Sequence, residues 1–265
     1  MTGIDLEFAK RIERAEREGL RDALAHGREA FPDRGIAIAR VADATIGYAG
    51  VDSAFSVATG IGIDATVCDA DIEEIVEFFH SRGCAARVIT APIAGEQVAR
   101  KLAHRGFEID AYEDALAADL TQVNGLRDAR IDICSEPIAW ANHSAVAFTD
   151  DAVPTEALYF VSTIIASHPN VCALALREHG EIQTTGCVAV DSDNVAVLFG
   201  TATSPAARGR GFQSAMIADR IARAVEGGAT LARATAKIGS VSERNFRRLG
   251  FSVLYTRTVW SLKSD

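Results

Sequence analysis

The sequence predicts an α/β (α+β) protein of two tandem domains of one kind, each a mixed, mostly antiparallel sheet flanked by helices. Three observations carry this. In Val195 to Ala215 (VAVLFGTATSPAARGRGFQSA), Val195, Val197 and Phe199 alternate with smaller residues, Ser204-Pro205 breaks the run, and Phe212 to Val225 follows without an internal Gly or Pro. That is a strand, a tight loop and a helix. From Gly35, short alternating runs closed by Gly or Asp read as a small antiparallel sheet. Finally, Gly106-Phe107 and Gly250-Phe251 lie 144 residues apart, and the same gapless shift sets Gly83 on Gly227, Thr59 on Thr203 and Asp64 on Arg208.

In chain order, Asp5 is placed to cap a helix running to about Ala25, with Leu6, Ala9, Ile12, Ala15, Leu20 and Leu24 on one stripe. Strands follow at Ile36 to Val41, Ala44 to Ala49 and Phe55 to Ile63. Asp69 and Asp71 open a helix that buries Ile72, Ile75, Val76 and Phe79 and stops at Gly83. Arg87 to Thr90 is a strand, Pro92 starts a helix ending at Gly106, and a strand region runs to Leu120. The polar stretch Asp119 to Arg130 places a domain boundary near 122, giving domains 1–122 and 123–265.

The second half repeats the plan. Helices are expected over Ile138 to Phe148 and Thr155 to Ser167, and strands over Val171 to Arg177 and Ile182 to Val190, with Gly180 in the hairpin between them. After the Val195 strand and the Phe212 helix come a strand at Thr230 to Ala236, a helix at Ser242 to Leu249 and a closing strand through Trp260.

Composition narrows the function. The chain has 265 residues, 48% hydrophobic and 24% charged, which suits a globular protein with packed cores. A net charge of −9 argues against a general nucleic-acid surface, so the arginines at 208 and 210 read as a local device for a small anion. Five scattered cysteines without a C-x-x-C pair, and six histidines without H-x-x-x-H spacing, suggest neither a disulfide framework nor a metal. With no apolar run of membrane-spanning length, the expected setting is cytoplasmic, without membrane partners.

The loop Arg208-Gly209-Arg210-Gly211 before a helix N-terminus leaves backbone amides free to face a phosphate. A Walker loop would need Gly-Lys-Ser/Thr, and a dinucleotide loop would need a glycine where Ser214 stands. The stretch instead resembles motif A of the GNAT superfamily of acyl-CoA-dependent N-acyltransferases, matched as Arg208-x-x-Gly211-x-Gln213. Gln213 departs from the small residue usual there.

The resemblance, spread over most of 133–260, implies an acetyl-CoA site. Thr201, Ala202 and Thr203 would line the pantetheine arm, and Arg208, Gly209, Arg210, Gly211, Phe212, Gln213 and Ser214 would wrap the diphosphate. Ser240 and Asn245 would also contact CoA, although Ser242 reads as a helix cap. An amide near Gly200 to Thr201 would stabilise the oxyanion formed as an amine attacks the thioester. The family's usual acid tyrosine falls on Phe246, which leaves Tyr255 as the substitute general acid or, equally, as a packed strand residue.

The acceptor would be a primary amine of a small molecule or peptide, reached through 140–167, where Asp150, Asp151 and Glu156 form either a cation-attracting or a merely solvated loop. A homodimer is compatible with this. The competing reading is a non-catalytic acyl-CoA-binding or sensing protein.

In the first copy, Asp64 to Asp69 stands where Arg208 to Gln213 stands in the second. A like-charge contact at ~4 Å costs about 4 kcal/mol at an effective dielectric of ~20, more than the ~0.3 to 2 kcal/mol a helix terminus returns. The first copy is therefore expected to lack the cofactor.

Overall fold

The computed structural model describes residues 6–150 and 152–263. The expected cap Asp5 and the loop residue Asp151 lie outside them. Two compact units are found, one of residues 1–115 with 254–265, the other of 116–253.

The first unit begins with α1 (Leu6–Ala30), which buries Ala9, Ile12, Leu20 and Leu24. Then come β1 (Ala37–Val41), β2 (Ala44–Tyr48), β3 (Ala58–Thr59), α2 (Asp69–His80), β4 (Ala86–Thr90), α3 (Glu96–Arg105) and β5 (Glu108–Asp119). Strands β1, β2 and β3 pair antiparallel, and β3 pairs parallel with β4. The core lies under α2, whose Ile72, Ile75, Val76 and Phe79 are buried at roughly 1.5 to 3 kcal/mol each. Only Ala58–Thr59 survives of the strand expected over 55–63. Gly60 and Gly62, at φ of 76° and 75°, turn the chain out of the sheet just after it.

The second unit holds β6 (Ile131–Ile133), α4 (Pro137–Phe148), α5 (Glu156–Ser167), β7 (Cys172–Glu178), β8 (Glu181–Val190), β9 (Val195–Thr203), α6 (Phe212–Glu226), β10 (Leu231–Lys237) and α7 (Val241–Arg248). The chain closes with β11 (Ser252–Leu262). Strands β6 to β9 pair antiparallel in sequence order, and β9 pairs parallel with β10. Both units thus repeat one polarity pattern.

The gapless shift of 144 survives in the coordinates. It carries α2 onto 213–224, β4 onto 230–234, α3 onto 240–249 and β5 onto 252–263, which are α6, β10, α7 and β11 within three residues at each end.

The closing strands are exchanged. The neighbour of β4 is β11, paired antiparallel from Thr258↔Thr90 to Leu262↔Ala86, whereas the neighbour of β10 is β5. The units therefore divide differently from the boundary expected near 122. The chain changes unit at residues 115/116, inside β5, and returns to the first unit at 254, inside β11. Trp260 fixes the returning strand by donating its indole N–H to Thr90 at 3.0 Å, both buried.

Candidate functional site

The site is built around the far end of β9. Its pairing with β10 covers only Val195 to Val197 against Leu231 to Arg233, so beyond that point the two parallel strands part. On its other side β9 stays paired with β8, but the register shifts by one residue between Thr185 and Cys187. This is a bulge. Gly200 sits in it at φ 63°, a conformation glycine takes without strain, and a Cβ there would stand 3.3 Å from the Trp140 ring and 3.4 Å from Cys187 Sγ.

The bulge decides where two amides point. Asp191 donates its N–H to Val195 O, and bonded pairs alternate every second residue, so Cys187 and Phe199 exchange hydrogen bonds and the Phe199 carbonyl faces β8. The Phe199–Gly200 peptide is trans, so the Gly200 N–H faces the opposite way, toward β10. The Gly200 carbonyl also lies on the β8 side, 3.5 Å from Thr185 Oγ1, which turns the Thr201 N–H toward β10 as well. Two successive donors face the gap between the parted strands.

From β9 the chain enters the loop. Thr203 is held by a 3.0 Å hydrogen bond between its hydroxyl and that of Thr184; Ala202 is buried, and Thr201 is half-buried. Pro205–Ala207 makes one turn of 3-10 helix. Gly209 and Gly211 then take φ of 75° and 80° with open space where a Cβ would be, and Gly211 caps α6 without any side-chain cap. Among the described residues, no protein partner satisfies the N–H groups of 209–214. An anion is the natural partner for such a run.

The side chains around the loop are already arranged. Arg208 donates to the carbonyls of Thr203 and Ala147, each at 3.2 Å, and pairs with Asp150 at 2.5 Å. Arg210 pairs with Glu178 at 2.6 Å and lies 4.5 Å over the Phe212 ring, which is buried. Gln213 turns its carboxamide toward α7, where Asn245 donates to it at 2.7 Å, so the long side chain stands aside from the amides. Ser240, not Ser242, caps α7, its hydroxyl accepting the Glu243 N–H at 3.1 Å. Ser214 sits in the first turn of α6. Of the acidic loop, Asp150 is committed to Arg208 and Glu156 opens α5 behind its cap Thr155.

Tyr255 is placed elsewhere. It belongs to the first unit, where its ring packs in the core and its hydroxyl donates to Glu13 on α1 at 2.8 Å. That geometry supports the packing role rather than the acid role expected from its position after Phe251. Phe246 is also buried, edge-on to Phe251 with centroids 4.9 Å apart.

The corresponding loop of the first unit is filled from within. Asp43, buried between β1 and β2, accepts the N–H groups of Gly62 at 2.7 Å, Asp64 at 2.6 Å and Ala65 at 3.3 Å. Asp64 is itself ion-paired with Arg14, Arg17 and Lys10, and the Arg14 hydrogen bond holds its carboxyl below the usual range. Asp69 pairs with Lys101 at 2.5 Å. The carboxylates expected to repel a phosphate are thus largely neutralised, and a third, Asp43, holds amides of the turn.

Among the buried charges that reading along the sequence missed, two matter for the loops and the bulge, Asp43 and Arg220. The second stands among apolar neighbours of α6, between Met216 and Ala224 at helical spacing, and only that interruption of the stripe marks it. Among the described residues no three His, Cys, Asp or Glu gather as metal ligands, and no helix is long and apolar enough to cross a membrane.

No family model and no curated protein matches the chain in sequence. Solved structures do match in fold. A GCN5-related N-acetyltransferase from Kribbella flavida is similar over 98% of this chain and 96% of its own, at TM-score 0.69 and 21% identity. A tandem GNAT protein from the clavulanic acid biosynthesis pathway covers 92% of this chain and 88% of its own, at 0.57 and 12%. A GCN5-related N-acetyltransferase from Sphaerobacter thermophilus covers 73% and 65%, at 0.53 and 16%. This chain has the fold of the GCN5-related N-acetyltransferases over nearly its whole length.

Proposed function

We propose that the protein is an acyl-CoA-dependent N-acetyltransferase that moves acetyl from acetyl-CoA to a primary amine of a small molecule or peptide. One observation carries this reading. The gap beside β9, with the Gly200 and Thr201 N–H groups facing it, runs into a loop whose amides at 209–214 lack protein partners. A thioester arm and a diphosphate need those two features in that order.

In this reading Thr201 to Thr203 border the pantetheine arm, residues 208–214 hold the diphosphate, and Ser240 and Asn245 on α7 flank it. Arg208 exchanges its contact with Asp150 for a phosphate oxygen. Acetyl-CoA supplies an activated acyl group. The chain's own part is to polarise the carbonyl through the Gly200 and Thr201 N–H groups while the amine nitrogen bonds to the acyl carbon and the carbon–sulfur bond breaks. The ammonium loses one proton to become the attacking amine and a second as the amide forms; the thiolate takes up one of them and the other passes to solvent. An amine with a pKa near ~10.4 is neutral in only about one molecule in a few thousand at pH 7, so a desolvating acceptor site contributes to the rate.

A second reading, acyl-CoA binding without transfer, is favoured by Phe246, which offers no phenol to the leaving thiolate, and by Tyr255, whose hydroxyl is spent on Glu13. Calorimetry with acetyl-CoA, followed by thiol release across an amine panel, separates them. Binding with amine-dependent release supports transfer, binding alone supports sensing, and no binding removes both.

A further inference from the structure

Arg220 is fully buried on α6, 6.0 Å from the Phe246 ring, and among the described residues no carboxylate forms an ion pair with its guanidinium. Its Nε donates to Met216 O at 3.2 Å, and its Nη1 donates at 3.1 Å to both Cys187 O on β8 and Phe199 O on β9. Its Nη2 is buried without a partner among the described residues. The adjacent Asp219 is turned away, its oxygens taken by Arg127, Arg223 and the Asp128 N–H.

A buried, unpaired cation costs several kcal/mol, and a side chain such as Met would fill the space more cheaply. Nor do the two carbonyls need the guanidinium, because Cys187 and Phe199 already satisfy each other as a bonded pair of the ladder. The strand makes room for it all the same. A Cβ at Gly186, opposite the bulge, would stand 2.7 Å from Met216 Cγ and 3.4 Å from Arg220 Nε. What the cation adds is charge on two peptide groups, one of which faces the gap. It binds the oxygen of the Phe199–Gly200 peptide, whose N–H faces the gap.

We infer that Arg220 is a positioning residue for acyl transfer, holding the β9 bulge by its two carbonyls and polarising the Gly200 N–H toward the acyl oxygen. This rests on the acetyl-CoA reading above. Hydrogen bonds in a chain strengthen one another, so a cation on the carbonyl end makes the N–H end a better donor. As negative charge develops on the thioester oxygen, the stronger donor lowers the barrier without moving a proton. Burial lowers the guanidinium pKa only to about 10, so it keeps its charge at neutral pH. The nearby Cys187 thiol is kept protonated by the same burial.

The test uses the full chain, Arg220→Met and Arg220→Lys, with acetyl-CoA carrying carbon-13 at the acyl carbonyl. In the parent, infrared difference spectra should show the carbonyl stretch moving to lower frequency on binding. In Arg220→Met that movement should be largely lost and amine-dependent turnover should fall about tenfold or more, with calorimetric affinity within about threefold of the parent. Arg220→Lys, which keeps a charge on a shorter side chain and loses the Nε bond to Met216, should fall between them, and it carries the test if the Met variant does not melt cooperatively. A folded, binding Arg220→Met with an unaltered carbonyl stretch and turnover overturns the inference and leaves the acetyl-CoA reading standing. A parent that binds no acetyl-CoA removes both.

Discussion

The Tyr255 hydroxyl donates to Glu13 Oε1 at 2.8 Å, joining side chains 242 positions apart in the chain, both buried in the first unit. Removing it leaves a buried carboxylate short of a donor, which costs about 1 to 3 kcal/mol. Tyr255→Phe should therefore lower the midpoint of thermal or urea unfolding while turnover per folded molecule stays at the parent value. A loss of turnover with unchanged stability would return Tyr255 to the chemistry.

Gly211→Glu tests the anion loop. At φ 80° a side chain is strained by roughly 1 to 2 kcal/mol, but the surrounding space is open, so the fold should persist. A carboxylate beside the amides of 209–214 should weaken CoA binding by about 100-fold or more, the equivalent of ~2.7 kcal/mol. Calorimetry on the folded variant reads this directly, and parent-like affinity would move the diphosphate elsewhere.

The parts that were legible in the sequence are those whose causes are local. Gly209, Gly211 and Pro205 mark the loop because each imposes a backbone geometry on its own, and the 144-residue repeat follows from two other glycines recurring, Gly83 as Gly227 and Gly106 as Gly250. The strand exchange was not legible. Since β5 and β11 are copies of one strand, nothing in the periodicity of either says whether it lies beside β4 or β10. Asp43 and Arg220 were hidden for a related reason. A charge in a turn or on a helix reads as solvated until the distant partner, the 62–65 amides or the 187 and 199 carbonyls, is known.

Exchange makes the first unit depend on the end of the chain. Removing residues 254–265 takes away the strand paired with β4, together with Tyr255, Val259 and Trp260 from the core, at roughly 1.5 to 3 kcal/mol for each large side chain. Limited proteolysis of the shortened protein should release fragments from 6–115, because that unit has lost a central strand. Protection equal to the parent's would show that β5 has taken the vacated place.

Asp64 gives a pH signature. Its carboxyl titrates lower in the folded state, first through the Arg14 hydrogen bond, so its contribution is present above the unfolded value near ~3.9 and fades as pH falls through the lower folded value. With the pair partly exposed, the contribution is of order 1 kcal/mol or less. Asp64→Asn should be slightly less stable than the parent at pH 7, with the difference shrinking toward pH 3. A difference that grows on acidification would mean the sign is wrong.

Each chain should bind one CoA, although it carries two copies of the fold. In the second copy the amides at 209–214 await an anion; of the matching positions 65–70 in the first, the Ala65 N–H is already taken by the Asp43 carboxylate, which also holds those of Gly62 and Asp64 just before them, and the Cys68 N–H is taken by Asp71. A diphosphate would have to displace a buried carboxylate that is covalently part of the same unit and held at high effective concentration. The first copy also lacks the strand that would open a gap, since β3 has only two residues and leaves the sheet at Gly60. Titrating the full chain with acetyl-CoA should give one site, and Gly211→Glu should remove it without exposing a second. Asp43→Asn should loosen the 60–65 turn and lower stability, yet still leave the stoichiometry at one, because freeing amides does not create the gap beside them. Two sites in the parent, or a CoA site remaining in Gly211→Glu at parent affinity, would overturn this assignment.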